Sequence, residues 1–505
     1  MQRIDSTLGR LALHGKAGTR RIEERANAAL PSGALMRRAG EAVAQLAIAI
    51  APHARRVWIA AGPGNNGGDG LEAAVALKRS GKDVGVMLVG IAAALPADAA
   101  AALVRARDAG VAIDRPAGSL GRNDIAIDAL LGIGGSRAPQ GALADAVSQL
   151  GALDCPVLAI DVPSGLDVDT GQPFGADCVT AQHTLALLTL KPGLFTASGR
   201  DCAGTVWLDR LGVEDGSEAE DAVLVGSGVA ALQAGLRRHA MHKGSFGDVA
   251  VVGGASGMVG AAILAARAAH AAGAGRVYAV LSGADVPPPD HDPLRPELMF
   301  RPGWLGSIPQ VLADCTVVCG CGGGNAVRDG LPRLFSLVRR LVLDADALNA
   351  IAGDAGLQSA LRSRTGRGLC TVLTPHPLEA ARLLGCTTAE IQRDRLHAAQ
   401  ALAERCASVV VLKGSGSVIA APGRTPAINA TGNASLASPG TGDVLAGWLG
   451  GLWAQTISTP EAPTGFDVAL RAVVEHGAAA EPFVPGPLRA ADLVERLHRR
   501  LRASA

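Results

Sequence analysis

The sequence predicts an α/β protein built on two mostly parallel sheets, each covered by helices on both faces. Three observations carry that expectation. Short apolar runs such as Val57–Ala61 and Val409–Leu412 lack polar alternation, as strands buried on both faces do. Many of these runs end in Gly, Asn, Asp or Ser and lead into a helical stretch, the βα rhythm of a doubly wound fold. The rhythm starts twice, on either side of the acidic, small-residue segment Val213–Asp221, in which nothing looks packed. At 505 residues the chain is too long for one ordinary core. Domains over 1–213 and 223–505 are expected.

In the first half, Val57–Ala61 stops at Gly62-Pro63-Gly64-Asn65-Asn66-Gly67-Gly68-Asp69-Gly70, read as a loop. A helix from about Leu71 to Ser80 follows. Further strands are expected at Val84–Val89, Ile125–Asp128, Pro156–Ile160 and Thr184–Leu190. In the second half they are expected at Asp248–Val252, Arg276–Leu281, Thr316–Cys319, Leu341–Leu343, Thr371–Thr374 and Val409–Leu412. Val259–Ala274 is apolar but broken by Arg267 and His270, so it reads as a buried helix rather than a membrane span. Pro287-Pro288-Pro289-Asp290-His291-Asp292-Pro293 reads as a stiff loop. No fixed-period repeat is visible.

Composition narrows the function. Lys and Arg (47) balance Asp and Glu (46), which implies no basic face for nucleic acid or acidic membrane. A single Tyr argues against base-stacking platforms. The nine cysteines form no Cys-x-x-Cys pair, which suits reduced thiols in a cytoplasm. Cys319 and Cys321 are the only close pair, and no His or Cys neighbours complete a metal site. The N-terminus has arginines but no apolar core of a signal peptide.

Two constellations carry chemistry. In the first half Asn66, Asp69, Asp128, Asp161 and Ser164 fall at or just after strand ends, at one rim of a parallel sheet, where ligands bind. Their oxygens would make a hard-cation shell. The turn Gly132-Ile133-Gly134-Gly135-Ser136-Arg137 adds backbone donors and a guanidinium suited to phosphate. Each loop alone is also an ordinary βα turn. Lys191, expected at a strand end, is either catalytic or a solvated charge.

In the second half, Ser438-Pro439-Gly440-Thr441-Gly442-Asp443 runs into an apolar helix. Its glycines allow phosphate to approach a helix N-terminus, where Asp443 would be a general base in phosphoryl transfer or a simple cap. Lys413-Gly414-Ser415-Gly416-Ser417 would bind phosphate or adenosine groups. His376, between two prolines, would contact a ligand or serve structure alone. Leu343-Asp344-Ala345-Asp346-Ala347-Leu348-Asn349 supplies groups for magnesium or hydroxyl contacts.

The first half resembles the NAD(P)H-hydrate epimerase domain over roughly residues 10–212. Leu35-Met36-Arg37-Arg38-Ala39-Gly40, Asn65–Gly70, Asp128-Ala129-Leu130-Leu131-Gly132 and Asp161-Val162-Pro163-Ser164-Gly165 carry the resemblance. It implies a Rossmann-like fold. It implies potassium at Asn66, Asp128 and Ser164, and hydrated nicotinamide nucleotide at Asn65, Asn66, Gly67, Gly68, Asp69, Gly132 through Ala138, and Asp161. A carboxylate such as Asp161 could protonate the departing hydroxyl, with Lys191 assisting.

The second half resembles the ADP- or ATP-dependent NAD(P)H-hydrate dehydratases of the ribokinase-like superfamily over roughly residues 223–500. His242-Lys243-Gly244-Ser245-Phe246-Gly247, Gly260-Ala261-Ala262, Arg295-Pro296-Glu297-Leu298-Met299 and the Asp443 motif carry it. The resemblance implies hydrated substrate at Ala262, Gly322 or Gly324, His376 and Asp443, and the adenine nucleotide, ADP, at Lys413–Ser417 and Gly442, with a magnesium ion and the helix N-terminus holding its charge. One turn departs from the family pattern: Gly-Pro-Gly-Leu-Gly becomes Gly320-Cys321-Gly322-Gly323-Gly324. The resemblance further implies a homo-oligomer. Two rivals stay open: a vitamin or sugar kinase in the second half, whose Gly-Thr-Gly-Asp turn is shared, and an inactive nucleotide-sensing first half.

Overall fold

The computed structural model describes all residues except 91–93, 119, 215, 217, 230–237, 284–289, 457–462, 483–485 and 504–505. The prolines 287–289 of the expected stiff loop therefore lie outside the described residues. The chain divides into two compact units, Met1–Asp5 with Leu11–Leu224, and Ser6–Arg10 with Val225–Ala505. Ser6–Arg10 is held in the second unit by backbone bonds from Ser227 to Ser6 (2.7 Å) and from Gly228 to Leu8 (3.0 Å).

The first unit carries an eight-stranded sheet. Its order is Gln2–Arg3, Thr205–Asp209, His183–Leu187, Val157–Ile160, Ile125–Ala129, Arg56–Ala61, Asp83–Leu88 and Ala112–Ile113. Only Gln2–Arg3 pairs antiparallel. The central strands are buried along their length, which is why their sequences run apolar without alternation.

Three expectations are corrected here. The Asn65–Asp69 stretch is not a loop: the helix spans Asn65–Arg79, so these residues form its first turn. The Cβ of any side chain at Gly67 would lie 2.0 Å from the Gly62 carbonyl oxygen, so glycine there lets the helix start directly against the strand end. The strand expected to reach Leu190 stops at Leu187, because Leu188 turns into the left-handed region (φ 63°). The acidic segment thought unpacked is tied down as well. Glu218 pairs with Arg21 (2.7 Å) and Arg25 (2.8 Å), and Asp221 accepts from the Gly15 amide (2.8 Å).

In the second unit the sheet runs Met299–Phe300, Arg276–Leu281, Asp248–Gly253, Cys315–Cys319, Arg340–Leu343, Cys370–Leu373, Val409–Leu412, Val418–Ala420 and Ala427–Asn429. Pairing is parallel as far as Val409–Leu412 and antiparallel beyond. The expected buried helix is present at Val259–Ala271, and its Arg267 is neutralised by Asp292 (2.6 Å). Against it lies the helix Thr441–Ala454. A Cβ at Gly447 would sit 2.0 Å from the Ala265 carbonyl, and one at Gly451 2.4 Å from that of Ala269. Small residues on both helices thus permit backbone-to-backbone approach. No described helix is long and apolar enough to cross a membrane.

Candidate functional site

The first unit has a cavity of about 450 Å³ at the carboxyl ends of its parallel strands. Asn65, Asn66 and Asp69 from the helix start, Gly132–Gly135 from the glycine turn, and Asp161 line it. Of the groups expected at this rim, Asn66, Asp69 and Asp161 line the cavity, whereas Asp128 and Ser164 are not among its lining residues. Gly67 and Gly68 are buried in the helix, where a Cβ at Gly68 would strike Met36. Ser136 and Arg137 are exposed, Ala138 is half-buried against Gly175, and none of the three is among the cavity-lining residues.

Asp161 stands in the left-handed region (φ 67°), a strained setting for a non-glycine residue that recurs at functional sites. Its backbone N–H donates to Leu185 (2.8 Å), and its carboxylate accepts from the Leu187 amide (3.2 Å). Lys191 is fully buried; its ammonium donates to the Asp161 carboxylate and to the Leu187 carbonyl (2.7 Å). That excludes the solvated-charge reading of Lys191. Asp69 lies nearby. Desolvation lifts its carboxyl well above the ordinary range, and the charges of Asp161, Glu23 and Glu72 add to the rise.

Asp128 is fully buried. It accepts from the Ser164 hydroxyl (2.6 Å), the Ser164 amide (2.8 Å) and the Leu130 amide (3.1 Å). Desolvation still pushes it up to about 6, against these hydrogen bonds. Asn66 Nδ2 is buried without a partner among the described residues. A Cβ at Gly132 would come within 3.2 Å of the Asn66 Oδ1. A desolvated carboxylate, a hydroxyl and an amide in one place form a donor set that fits a hard cation.

Sequence reasoning missed the helix Lys16–Ala29, which contributes Thr19, Arg20, Glu23 and Asn27 to the cavity. Burial and Asp161 raise Glu23, while Lys191 opposes the rise. Lys16 reaches the glycine turn through the carbonyls of Gly135 (3.1 Å) and Gly134 (3.3 Å). The helix carries no glycine motif and is polar overall, so no local signal marked it.

In the second unit Asp443 stands in the first turn of the helix Thr441–Ala454, with Asp344 among the groups close to it. Gly440, in the left-handed region at φ 87°, precedes it. Thr441 ties the turn to the carbonyls of Leu436 (2.8 Å) and Ser438 (2.9 Å). Lys413 donates to Asp344 (2.8 Å), and a Cβ at Gly442 would lie 3.3 Å from the Lys413 ammonium. The Lys413 loop and the helix N-terminus are therefore neighbours. Burial works to lower Lys413, but Asp344 and Glu379 hold it raised. Asp443 goes the other way: desolvation first, then the Asp344 charge, push it up to about 6.

The Gly320–Gly324 turn keeps the geometry its glycines imply. Gly320, Gly322 and Gly324 have φ of 121°, 57° and 54°, and a Cβ at Gly320 would overlap the Asp344 carbonyl at 1.8 Å. The Gly324 amide donates to Asp346 (2.8 Å). Ala262 is fully buried. His376 caps the helix Pro377–Leu384: its Nδ1 accepts from the amides of Leu378 (3.1 Å) and Glu379 (3.4 Å). Its ring is nonetheless 46% exposed, which leaves one face open to a ligand. Sequence reasoning also missed Arg395. Fully buried, it donates to the carbonyls of Leu412 (3.2 Å) and Lys413 (3.1 Å) and so fixes the start of the Lys413–Ser417 loop.

Comparison with known proteins places both halves. Residues 32–193 match the family described as YjeF-related protein N-terminus, and residues 249–500 the family described as NAD(P)H-hydrate dehydratase. A bifunctional NAD(P)H-hydrate repair enzyme of Escherichia coli is 36% identical over 453 residues, covering 88% of this chain and 84% of that protein. Its counterpart in Coxiella burnetii is 36% identical over 463 residues, covering 88% and 91%. One from Leishmania major is 34% identical over 504 residues, covering 92% and 88%. Among solved structures, an ADP/ATP-dependent NAD(P)H-hydrate dehydratase from Bacillus subtilis, co-crystallised with ATP and Mg2+, is 28% identical. It covers 54% of this chain and 94% of that one, with a TM-score of 0.43.

Proposed function

This chain belongs to the bifunctional NAD(P)H-hydrate repair enzymes, and from that premise we propose how its residues divide the work. The first unit interconverts the R and S epimers of hydrated NADH or NADPH. The second dehydrates the S epimer at the expense of ADP, releasing AMP and phosphate. The observation that carries the second assignment is the partition of charge around Asp443. Desolvation and then the Asp344 charge raise the Asp443 carboxyl in the first turn of its helix, and Lys413, whose ammonium pairs with Asp344, offsets this only in part. That is the setting of a general base near neutral pH.

Asp443 takes the proton of the ring hydroxyl, whose oxygen attacks the terminal phosphoryl group of ADP. AMP leaves. The phosphorylated hydroxyl then departs as phosphate, the adjacent ring carbon gives up a proton to solvent, and the electron pair of that C–H bond restores the ring double bond. Lys413, Gly414, Ser415, Gly416, Ser417 and Gly442 hold the nucleotide. His376 and one of Gly322 or Gly324 face the hydrated substrate, with Ala262 behind them. Asp344 and Asp346 would hold a magnesium ion, which supplies positive charge for the transferring phosphoryl group.

In the first unit Asp161 protonates the departing ring hydroxyl and steadies the iminium-like cation, with Lys191 holding its carboxylate. Asn65, Asn66, Asp69 and Gly132–Gly135, which line the cavity, cradle the substrate. Asn66, Asp128 and Ser164 would hold a potassium ion, which supplies positive charge beside the substrate phosphates. A potassium-dependent rise in the melting temperature of the first unit, reduced in Asp128→Asn, supports that ion; equal melting in potassium and choline salts removes it.

All nine cysteines are free, which supports a reducing, cytoplasmic setting. A homo-oligomer is the expectation from the resemblance. The test of the whole reading is the recovery of reduced-nicotinamide absorbance from mixed epimers of hydrated NADH with ADP and magnesium, and with ATP in parallel. Full recovery with ADP supports both activities and the donor. Recovery of only the S fraction rejects the epimerase. No recovery with either donor rejects the dehydratase and favours a kinase with a stable phosphorylated product.

A further inference from the structure

Cys321 has no role in the chemistry above, yet it lies in the middle of the second site. Its side chain is fully buried, and its Sγ is 4.0 Å from Asp344 Oδ2. One ligand atom each from Cys321, Asp344 and Asp443 lies within 4.8 Å of the others. The three residues come from separate elements: the turn after the strand Cys315–Cys319, the residue after the strand Arg340–Leu343, and the first turn of the helix Thr441–Ala454.

We propose that Cys321, Asp344 and Asp443 form a binding site for a thiophilic divalent cation of the zinc class, distinct in chemistry from the magnesium that accompanies ADP. A tetrahedral zinc ion with sulfur at about 2.3 Å and oxygen at about 2.0–2.2 Å holds its ligands roughly 3.5 Å apart. The Cys321–Asp344 separation of 4.0 Å, and the remaining ones within 4.8 Å, close to that value by rotation of the carboxylates and the thiol. Magnesium rejects sulfur and prefers six oxygen ligands, so the thiol selects against it. Charge also balances. A Cys321 thiolate, two carboxylates, the Lys413 ammonium and a divalent ion sum to zero, while Asp346 keeps its hydrogen bond to the Gly324 amide. On binding, the thiol proton is released to solvent and no electrons move. The fourth position stays open to water. Resting on the dehydratase reading above, the consequence is inhibition: a bound ion occupies the Asp443 carboxylate and stops dehydration while leaving epimerisation running.

The test uses the full chain with Cd2+ as probe, without nucleotide, followed by ultraviolet thiolate-to-metal absorbance and by melting. The expected result is about one equivalent bound, resistant to excess Mg2+ and reversed by chelator. Cys321→Ser should lose the band and bind at least about ten-fold more weakly. Asp344→Asn should lose the Cd2+-induced rise in melting temperature. Cys319→Ser, altered at the neighbouring buried thiol, should keep both. A band unchanged in Cys321→Ser, or no band in the wild type, overturns the site. Inhibition of dehydration by Zn2+ that is equal in wild type and Cys321→Ser overturns the consequence. Should the protein lack dehydratase activity altogether, the band still reports on the site, so the two readings fail separately.

Discussion

Both units set a lysine and carboxylates at the carboxyl ends of parallel strands, but they distribute the charge differently. In the first, the fully buried Lys191 binds the candidate catalytic carboxylate itself, Asp161. In the second, Lys413 binds Asp344 and leaves Asp443 lifted to about 6. The contrast follows the chemistry. An epimerase that passes a proton to a departing hydroxyl and steadies a cation benefits from a carboxyl group held in a fixed position by its lysine. A phosphoryl-transfer base must hold and release a proton near neutral pH, and pairing it with lysine would weaken it.

The largest expected effect comes from removing that base. Asp443→Asn should cut dehydration by about 10²–10⁴-fold, read as phosphate release from ADP. A loss of only a few-fold would make Asp443 a cap and nothing more. Next is Lys191→Ala, which strips the partner from a buried carboxylate. The first unit should lose about 3–5 kcal/mol in a denaturant melt. Stability equal to the wild type would mean that Asp161 is solvated or protonated without the lysine, and the comparison between the two sites would fail.

The pH profile sharpens the comparison further. Asp443 acts as a base only when ionised, so kcat/KM for dehydration should rise through about 6 and be lost below it. Asp344→Asn should move that limb to lower pH, because it removes a like charge and frees Lys413. The effect on stability has the opposite sign. The folded carboxyl is raised from 3.8 to about 6, so its favourable contribution is present at low pH and lost as pH rises through about 6. The smallest effect is His376→Ala, where loss of a helix cap should cost about 1 kcal/mol in melting temperature terms. A rise in KM for the hydrated substrate beyond that would show that the exposed face of His376 contacts ligand.

Much of this was legible from residue order. Strands announced themselves because a sheet covered on both faces needs uninterrupted apolar runs. Gly440, Gly442 and the glycines of 320–324 marked turns because their backbones need conformations or approaches that side chains forbid. Asp128, Asp161 and Ser164 could be singled out because they follow strands, and ligands gather where parallel strands end. The helix Lys16–Ala29 was not legible, since Arg20 and Glu23 face the cavity only through the packing of a polar helix. Arg395 was missed for the same reason: a buried arginine bonded to carbonyls looks, in sequence, like any surface arginine.

The sequence by itself determined the α/β class of both halves and the succession of strands and glycine-rich turns along the chain, because these follow from local periodicity and backbone preference. Only the tertiary structure decided which charges are paired. Lys191 went to Asp161, Lys413 to Asp344, and Cys321, whose sequence neighbours complete no metal site, came to lie against two carboxylates. Pairing depends on side chains meeting across separate strands, and that distance is set by the packing of the sheet rather than by position along the chain.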